Sequence, residues 1–161
     1  DTFNELLKIQ NEGKIKSIGC SNFSAQQLRA ACNISQVDYV QLPTNLLSGE
    51  IDSEVSNICT KNKIKVIAYN ILENGLLAGK LDKDTNFPEN DRRSRLPLFK
   101  GIEFINALNK VEELKIKAVE NNSNLLQYSI NWVLMQKNIA SVIIGIKNRK
   151  QIEENCFAIL N

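Results

Sequence analysis

Residues 64–80 read IKVIAYNILENGLLAGK. The first seven, I-K-V-I-A-Y-N, form the most β-rich run of the chain, and they end on an aromatic and an amide, Tyr69-Asn70. Such a run bounded by a polar turn reads as a buried strand. Three other runs share its character: KIKSIGCS (14–21), VDYVQL (37–42) and SVIIG (141–145). Helical segments lie between and after them. SAQQLRAA starts with Ser24, and Gln27 three residues on completes a capping box. In SEVSNICTKN (53–62), Val55, Ile58 and Cys59 share one face. In the helix that starts at Gly101, the residues Ile102, Ile105, Leu108, Val111, Leu114 and Ala118 recur at helical spacing and predict a core-facing stripe. SNLLQYSINWVLMQKN predicts a helix capped by Ser123, and RKQIEENCFAIL a closing one. The opening DTFNELLKIQNEGK is in helical register and has no starting methionine, as in a piece of something longer.

Apolar strands alternating with helices predict an α/β fold with parallel strands, covered on one side by the helices. Right-handed crossovers then bring every strand's C-terminal end to one rim. Units of this kind build either a small open sheet or half of an eight-stranded barrel. Neither G-x-G-x-x-G nor G-x-x-x-x-G-K-[ST] follows any of the strands, so the nucleotide fingerprints of open sheets are missing. A barrel places its phosphate site after the last two strands.

Composition narrows the function classes. The 161 residues suffice for one domain with a core. A net charge of +2 points to neither a nucleic-acid nor a membrane partner. No apolar run is long enough to span a bilayer, and no signal peptide is recognisable. The four cysteines, Cys20, Cys32, Cys59 and Cys156, form no C-x-x-C pair and read as small buried hydrophobes, reduced thiols of a cytoplasmic protein. Histidine is absent, which removes a histidine-based triad and the commonest metal ligand, and no metal site is expected.

The strand ends carry the polar groups. Ser21, Asn22 and Gln41 supply complementary donors and acceptors for a carboxamide ring. Tyr69 offers a face to stack on it. Lys80 and Lys147, with backbone N–H groups at a helix start, suit a phosphate. Each residue also has a plainer reading: Ser21-Asn22 as a turn, Gln41 as a satisfied amide, Tyr69 as a rim aromatic, Lys147 as a solvated cation and the DRRSR run (91–95) as exposed charge.

Five segments, GKIKSIGCSNFS, VQLPTNLLSGE, AYNILENGLLAGK, FPENDRRSRLPLF and NWVLMQKNIASVIIGIKNRKQIEEN, resemble in order the C-terminal half of the aldo-keto reductases. They are most similar to the NADP-dependent bacterial branch, which is itself similar to potassium-channel β-subunits. The resemblance implies that residues 1–161 form strands five to eight of a TIM-type barrel whose N-terminal half is absent. It implies NADPH as cofactor. Ser21, Asn22 and Gln41 would hold the nicotinamide carboxamide, with Tyr69 stacked on the ring. Asn70, Leu72, Asn74 and Lys80 would line the pyrophosphate, Gly145 and Lys147 would lie by the adenosine 2′-phosphate, and Gln151, Glu154 and Asn155 would contact the adenosine. Arg93, on a loop able to fold over the cofactor, is a weaker phosphate candidate. Two positions depart from the family: Asn70-Ile71-Leu72 stands for Ser-Pro-Leu, and Thr44 for an aromatic.

The resemblance also implies an oxidoreductase that reduces aldehydes or ketones, with a small carbonyl compound as the full-length protein's substrate. The family's tetrad of aspartate, tyrosine, lysine and histidine lies in the N-terminal half, so no catalytic residue is assigned and the chain alone is expected to be inactive. An NADPH-sensing or partner-binding subunit is the alternative, and a half-barrel binding a phosphorylated metabolite a third reading. Open strand edges predict pairing with an N-terminal half-barrel or self-association.

Overall fold

The computed structural model describes residues 2–160, and for residues 159–160 the backbone only. The helices are α1 (Thr2–Asn11), α2 (Ala25–Cys32), α3 (Ser53–Asn62), α4 (Gly101–Glu120), α5 (Leu125–Leu134) and α6 (Arg149–Leu160). The strands are β1 (Gly19–Ser21), β2 (Tyr39–Pro43), β3 (Lys65–Tyr69) and β4 (Ile139–Val142). Among the described residues these four strands form one sheet in sequence order, every pair parallel. The alternation of strands and helices therefore gives the α/β class that the sequence predicts.

The chain groups into two compact units. The first takes in the chain up to Thr44, Glu50–Tyr69 and Val133–Ile143; the second takes in Asn45–Gly49, Asn70–Trp132 and the chain from Ile144 on. The sheet belongs to the first. Its core joins Leu28 and Ala31 of α2, Val40 of β2, Ile58 and Cys59 of α3 and Val66 of β3. Leu28, Val40, Cys59 and Val66 are fully buried. The α3 face is the one predicted, Val55, Ile58 and Cys59. Ser24 and Gln27 form the predicted capping box on α2. Gly19 is required by packing: a Cβ there would lie 2.9 Å from the Tyr39 carbonyl oxygen of the neighbouring strand.

The second unit packs α4 against a cluster of Phe87, Phe99 and Phe104, with Phe87 and Phe99 edge-on at 5.3 Å between centroids. The long polar stretch before α4 is thus shaped by two short 3₁₀ turns (Arg92–Arg95 and Pro97–Phe99) and this aromatic contact. Gly79 has φ +71°, and a Cβ there would meet Leu125 at 3.3 Å.

Four expectations need correction. The fourth strand is not a buried run over 141–145. It spans Ile139–Val142, Gly145 lies three residues beyond it, and Ile143 and Ile146 are about half exposed (49% and 47%). The reason is its partner: β3 ends at Tyr69, so the last ladder bond runs from the Ile143 N–H to the Ala68 carbonyl. The stripe on α4 runs through Phe104, Ala107, Val111, Leu114 and Ala118; Ile102 is 65% exposed, and Ile105 faces out too. Phe104, drawn into the aromatic cluster, sets that rotation. Ser123 does not cap α5; its hydroxyl donates to the Ala118 carbonyl that ends α4, while Asn124 exchanges side-chain and backbone bonds with Gln127. Finally, Cys156 is exposed rather than buried, whereas Cys59 is buried and Cys20 and Cys32 are half-buried. Burial first, and neighbouring thiols second, push the Cys20 and Cys59 thiol pKa up to about 11. No helix among the described residues is long and apolar enough to cross a membrane.

The Asn124 capping box gives a direct test. Asn124→Ala is expected to lower stability by about 1 kcal/mol, and Asn124→Asp to leave it nearly unchanged, since both side chains accept from the first-turn amides. Urea denaturation midpoints measure both; an unaffected Asn124→Ala protein would contradict the capping role.

Candidate functional site

The C-terminal ends of β1, β2 and β3 bring the first set of predicted residues together. Ser21 pairs in register with Gln41. The Asn22 N–H donates to the Gln41 carbonyl at 3.0 Å. Asn22 adopts φ 59°, a left-handed conformation that asparagine tolerates better than most residues. That turn carries its side chain to the Tyr69 hydroxyl, which donates to Asn22 Oδ1 at 2.9 Å. Tyr69 closes β3 opposite Pro43, and its carbonyl accepts from the Thr44 N–H. So Ser21, Asn22, Gln41 and Tyr69 sit at one end of one sheet. The phenol binds Asn22 through its hydroxyl, a contact that the sequence did not indicate.

Beside Asn22 opens a pocket of about 580 Å³, which the sequence reading missed. Phe23, Leu42, Pro43 and Ile51 give it apolar walls, and Glu50 and Glu54 stand among its lining. Nothing in the sequence spacing links the loop after β1 to the segment before α3; the parallel pairing of β1 and β2 and the packing of α2 against α3 do.

The second unit holds the remaining predicted residues. Asn70, Leu72 and Asn74 lie in a tight segment that leads into the 3₁₀ helix Glu73–Ala78. Asn70, Glu73 and Asn74 all have positive φ (53°, 43° and 52°), followed by Gly75 at 97°. The Asn70 side chain accepts from the Asn74 N–H at 3.0 Å. Glu73, which no sequence signal marked, accepts from the Asn70 and Asn74 side-chain amides at 2.9 and 3.0 Å. Its other oxygen accepts from Asn45 Nδ2 at 2.8 Å.

Lys80 and Glu154 form an ion pair at 2.8 Å, so the structure unites one residue predicted for the pyrophosphate with one predicted for the adenosine. Lys80, and less strongly Lys150 at 3.9 Å, hold the Glu154 carboxyl below its ordinary range. Gln151 Oε1 accepts from the Lys147 N–H at 2.7 Å, and the Gln151 N–H donates to Asn148 Oδ1. Asn155 is buried and Lys147 exposed. Gly145 is exposed, with ordinary φ and no atom within 4 Å of a built Cβ, so the fold itself does not require a glycine there. Arg93 is committed within its own loop. It makes a two-point pair with Asp91 and lies 4.3 Å above the Phe87 ring. Those bonds from Arg93, with a smaller attraction from Lys147, hold the Asp91 carboxyl well below the usual carboxylate range.

The chain belongs to the Aldo/keto reductase family, whose pattern it matches over residues 1–161. It is 33% identical over 153 residues to the aldo-keto reductase yakc [NADP(+)] of Schizosaccharomyces pombe, covering 93% of this chain and 45% of that protein. It is 24% identical over 159 residues to the NADH-specific methylglyoxal reductase of Escherichia coli, covering 99% of this chain and 48% of that protein. In structure it is similar to a glycerol dehydrogenase from Gluconobacter oxydans, with a TM-score of 0.80, 27% identity, and coverage of 98% of this chain and 53% of that one. The chain thus spans about half the length of the curated relatives it matches.

Because the Lys80 side chain of the Lys80–Glu154 pair is 62% exposed, Lys80→Ala is expected to change folding stability by less than about 1 kcal/mol. Chemical denaturation measures this, and a larger loss would show that Lys80 is a structural residue first.

Proposed function

We propose that this chain is the cofactor-binding, C-terminal half of a carbonyl-reducing aldo-keto reductase barrel, and that the cofactor is NADPH. The observation that carries the reading is the convergence of Ser21, Asn22, Gln41 and Tyr69 at the ends of adjacent parallel strands. Amide and hydroxyl groups fixed on neighbouring strands match the donors and acceptors of a nicotinamide carboxamide, and an aromatic beside them suits its ring. The residues of the second unit match the rest of the molecule. Asn70, Leu72, Asn74 and Lys80 suit a pyrophosphate. Gly145 and Lys147 suit a 2′-phosphate, and Gln151, Glu154 and Asn155 suit adenosine. When bound, the nicotinamide supplies hydride; the chain's residues orient it and neutralise its phosphates.

Fluorescence titration of the chain with NADPH and NADH tests the reading. Tighter binding of NADPH is expected. Lys147→Ala should weaken NADPH by about tenfold, the worth of one charge-assisted contact, and leave NADH nearly unchanged. Lys80→Ala should weaken both, because each carries the pyrophosphate. Binding of neither dinucleotide would sink the proposal, and equal weakening of both by Lys147→Ala would remove the 2′-phosphate role.

The acid that protonates a carbonyl oxygen is assigned to the other half of the barrel, so residues 1–161 are expected to bind cofactor without turnover. The outer edges of β1 and β4 carry ladder groups that another half-barrel would pair. Alone, the chain is expected to associate as its concentration rises. Sedimentation showing a stable monomer with a sharp cooperative melt, or steady oxidation of NADPH on adding a simple aldehyde, would contradict this assignment.

A further inference from the structure

We propose that Glu73 is the positioning residue that sets the pyrophosphate-facing loop, through its hydrogen bonds to Asn45, Asn70 and Asn74; this rests on the cofactor reading above. Three observations carry it. First, Glu73 itself sits at φ 43°. Asparagine and glycine accept that conformation readily, whereas a glutamate must be held there by its surroundings. Second, the holding groups are all identified. Oε1 accepts from both Asn70 and Asn74, the two amides assigned to the pyrophosphate, and Oε2 accepts from Asn45. Third, Asn45 is an anchor. It is 1% exposed, accepts from the Leu47 and Ser48 N–H groups at 2.9 Å, and donates a second time, to the Asn70 carbonyl at 3.2 Å. The carboxylate therefore ties a turn-rich sequence, N-I-L-E-N-G, to a buried amide, and fixes where the Asn70 and Asn74 amides stand.

The polarity of these bonds makes the idea testable. A carboxylate is acceptor-only, and all three partners are donors. Glu73→Gln keeps the shape but sets an NH₂ group against the Asn45 NH₂ group. Asn45→Asp makes the opposite error, setting two carboxylates together. Combining the two substitutions restores this one bond with its polarity reversed, while the bond from Asn45 to the Asn70 carbonyl stays lost wherever Asn45→Asp is present. The introduced glutamine then donates to the introduced aspartate, while its oxygen still accepts from Asn70 and Asn74. The introduced aspartate still accepts from the Leu47 and Ser48 N–H groups.

The experiment measures dissociation constants of the unmutated chain, each single variant and the double variant for NADPH and for adenosine 2′-phosphate, which has no pyrophosphate. Amide hydrogen exchange over residues 72–77 is followed in parallel. Each single substitution should weaken NADPH by about tenfold, the worth of a hydrogen bond to a charged group. Adenosine 2′-phosphate binding should hold, which a general loss of structure would not allow. The double variant should bind NADPH several-fold more tightly than Asn45→Asp alone, with exchange slower than in that variant, because the two sites are directly coupled; recovery stays partial, since the Asn70 carbonyl still lacks its Asn45 donor. Additive losses in the double variant, or NADPH binding by Glu73→Gln equal to the original, would overturn the role of Glu73 alone. Failure of the unmutated chain to bind NADPH would overturn the cofactor reading and this role with it.

Discussion

The end of β3 is the constraint on which much of this structure depends. Tyr69 is its last extended residue, and Asn70 turns left-handed immediately after. A strand can lengthen only while its neighbour offers a ladder. With β3 closed at Tyr69, the ladder ends at the Ile143 N–H, and the apolar residues Ile143 and Ile146 lie partly in solvent. The same stop puts the Tyr69 hydroxyl at the sheet's end, where Asn22 receives it. The reversal is not free: non-glycine residues in this region cost of order 1–3 kcal/mol each unless their surroundings hold them. Asparagine at positions 70 and 74 lowers that cost, and the buried Asn45 with Glu73 meets most of the rest.

The two sets of candidate residues follow different physical logic. Those on β1, β2 and β3 are neutral and fixed by a parallel ladder, so their donors and acceptors are placed before any ligand arrives. Those of the second unit include charged groups, two of which are already paired within the chain: Lys80 with Glu154 and Arg93 with Asp91. Exposed pairs of this kind contribute roughly 0–1 kcal/mol. Lys80 can therefore exchange Glu154 for a phosphate at small cost. Arg93 is different, because its side chain is 22% exposed, is gripped at two points by Asp91 and lies over Phe87. Recruiting it would break three contacts, which is a physical reason to rank it below Lys80 and Lys147.

What could be read from the sequence was what depends on local spacing. The capping box at Ser24 and the buried face of α3 follow from intervals of three and four, and both are found as predicted. The strand–helix alternation gave the parallel sheet. What could not be read depends on partners distant in the chain. The α4 sequence supports two stripes at helical spacing, one through Ile102 and Ile105 and one through Phe104 and Ala107. Only the aromatic contacts of Phe104 with Phe87 and Phe99 choose the second. Ser123 and Asn124 are both good caps by residue type, and the choice falls to Asn124 because Ser123 is taken by the end of α4. Glu73 was invisible because a single glutamate next to an asparagine has no pattern; its importance lies in Asn45, far back in the chain.

The start of α6 breaks a local rule, and that breach bears on function. Cations are unfavourable at a helix N-terminus by about 0.3–1 kcal/mol each, because the backbone dipole is positive there. Here Lys147 precedes the cap, and Arg149 and Lys150 occupy the first two helical positions. The compensation inside the chain is poor. Arg149 and Lys150 pair with Glu153 and Glu154 in the less favourable order, cation before carboxylate, and at 91% and 82% exposure these pairs are screened by water. Asn148 and Gln151 satisfy the turn's N–H groups but supply no charge. A sequence optimised for α6 alone would place acidic residues in its first turn. Cations there repel the dipole and one another, and an anion bound at this turn would relieve both. Positions that break a local rule without internal compensation are where function is expected, and here that logic selects the phosphate end of the proposed cofactor.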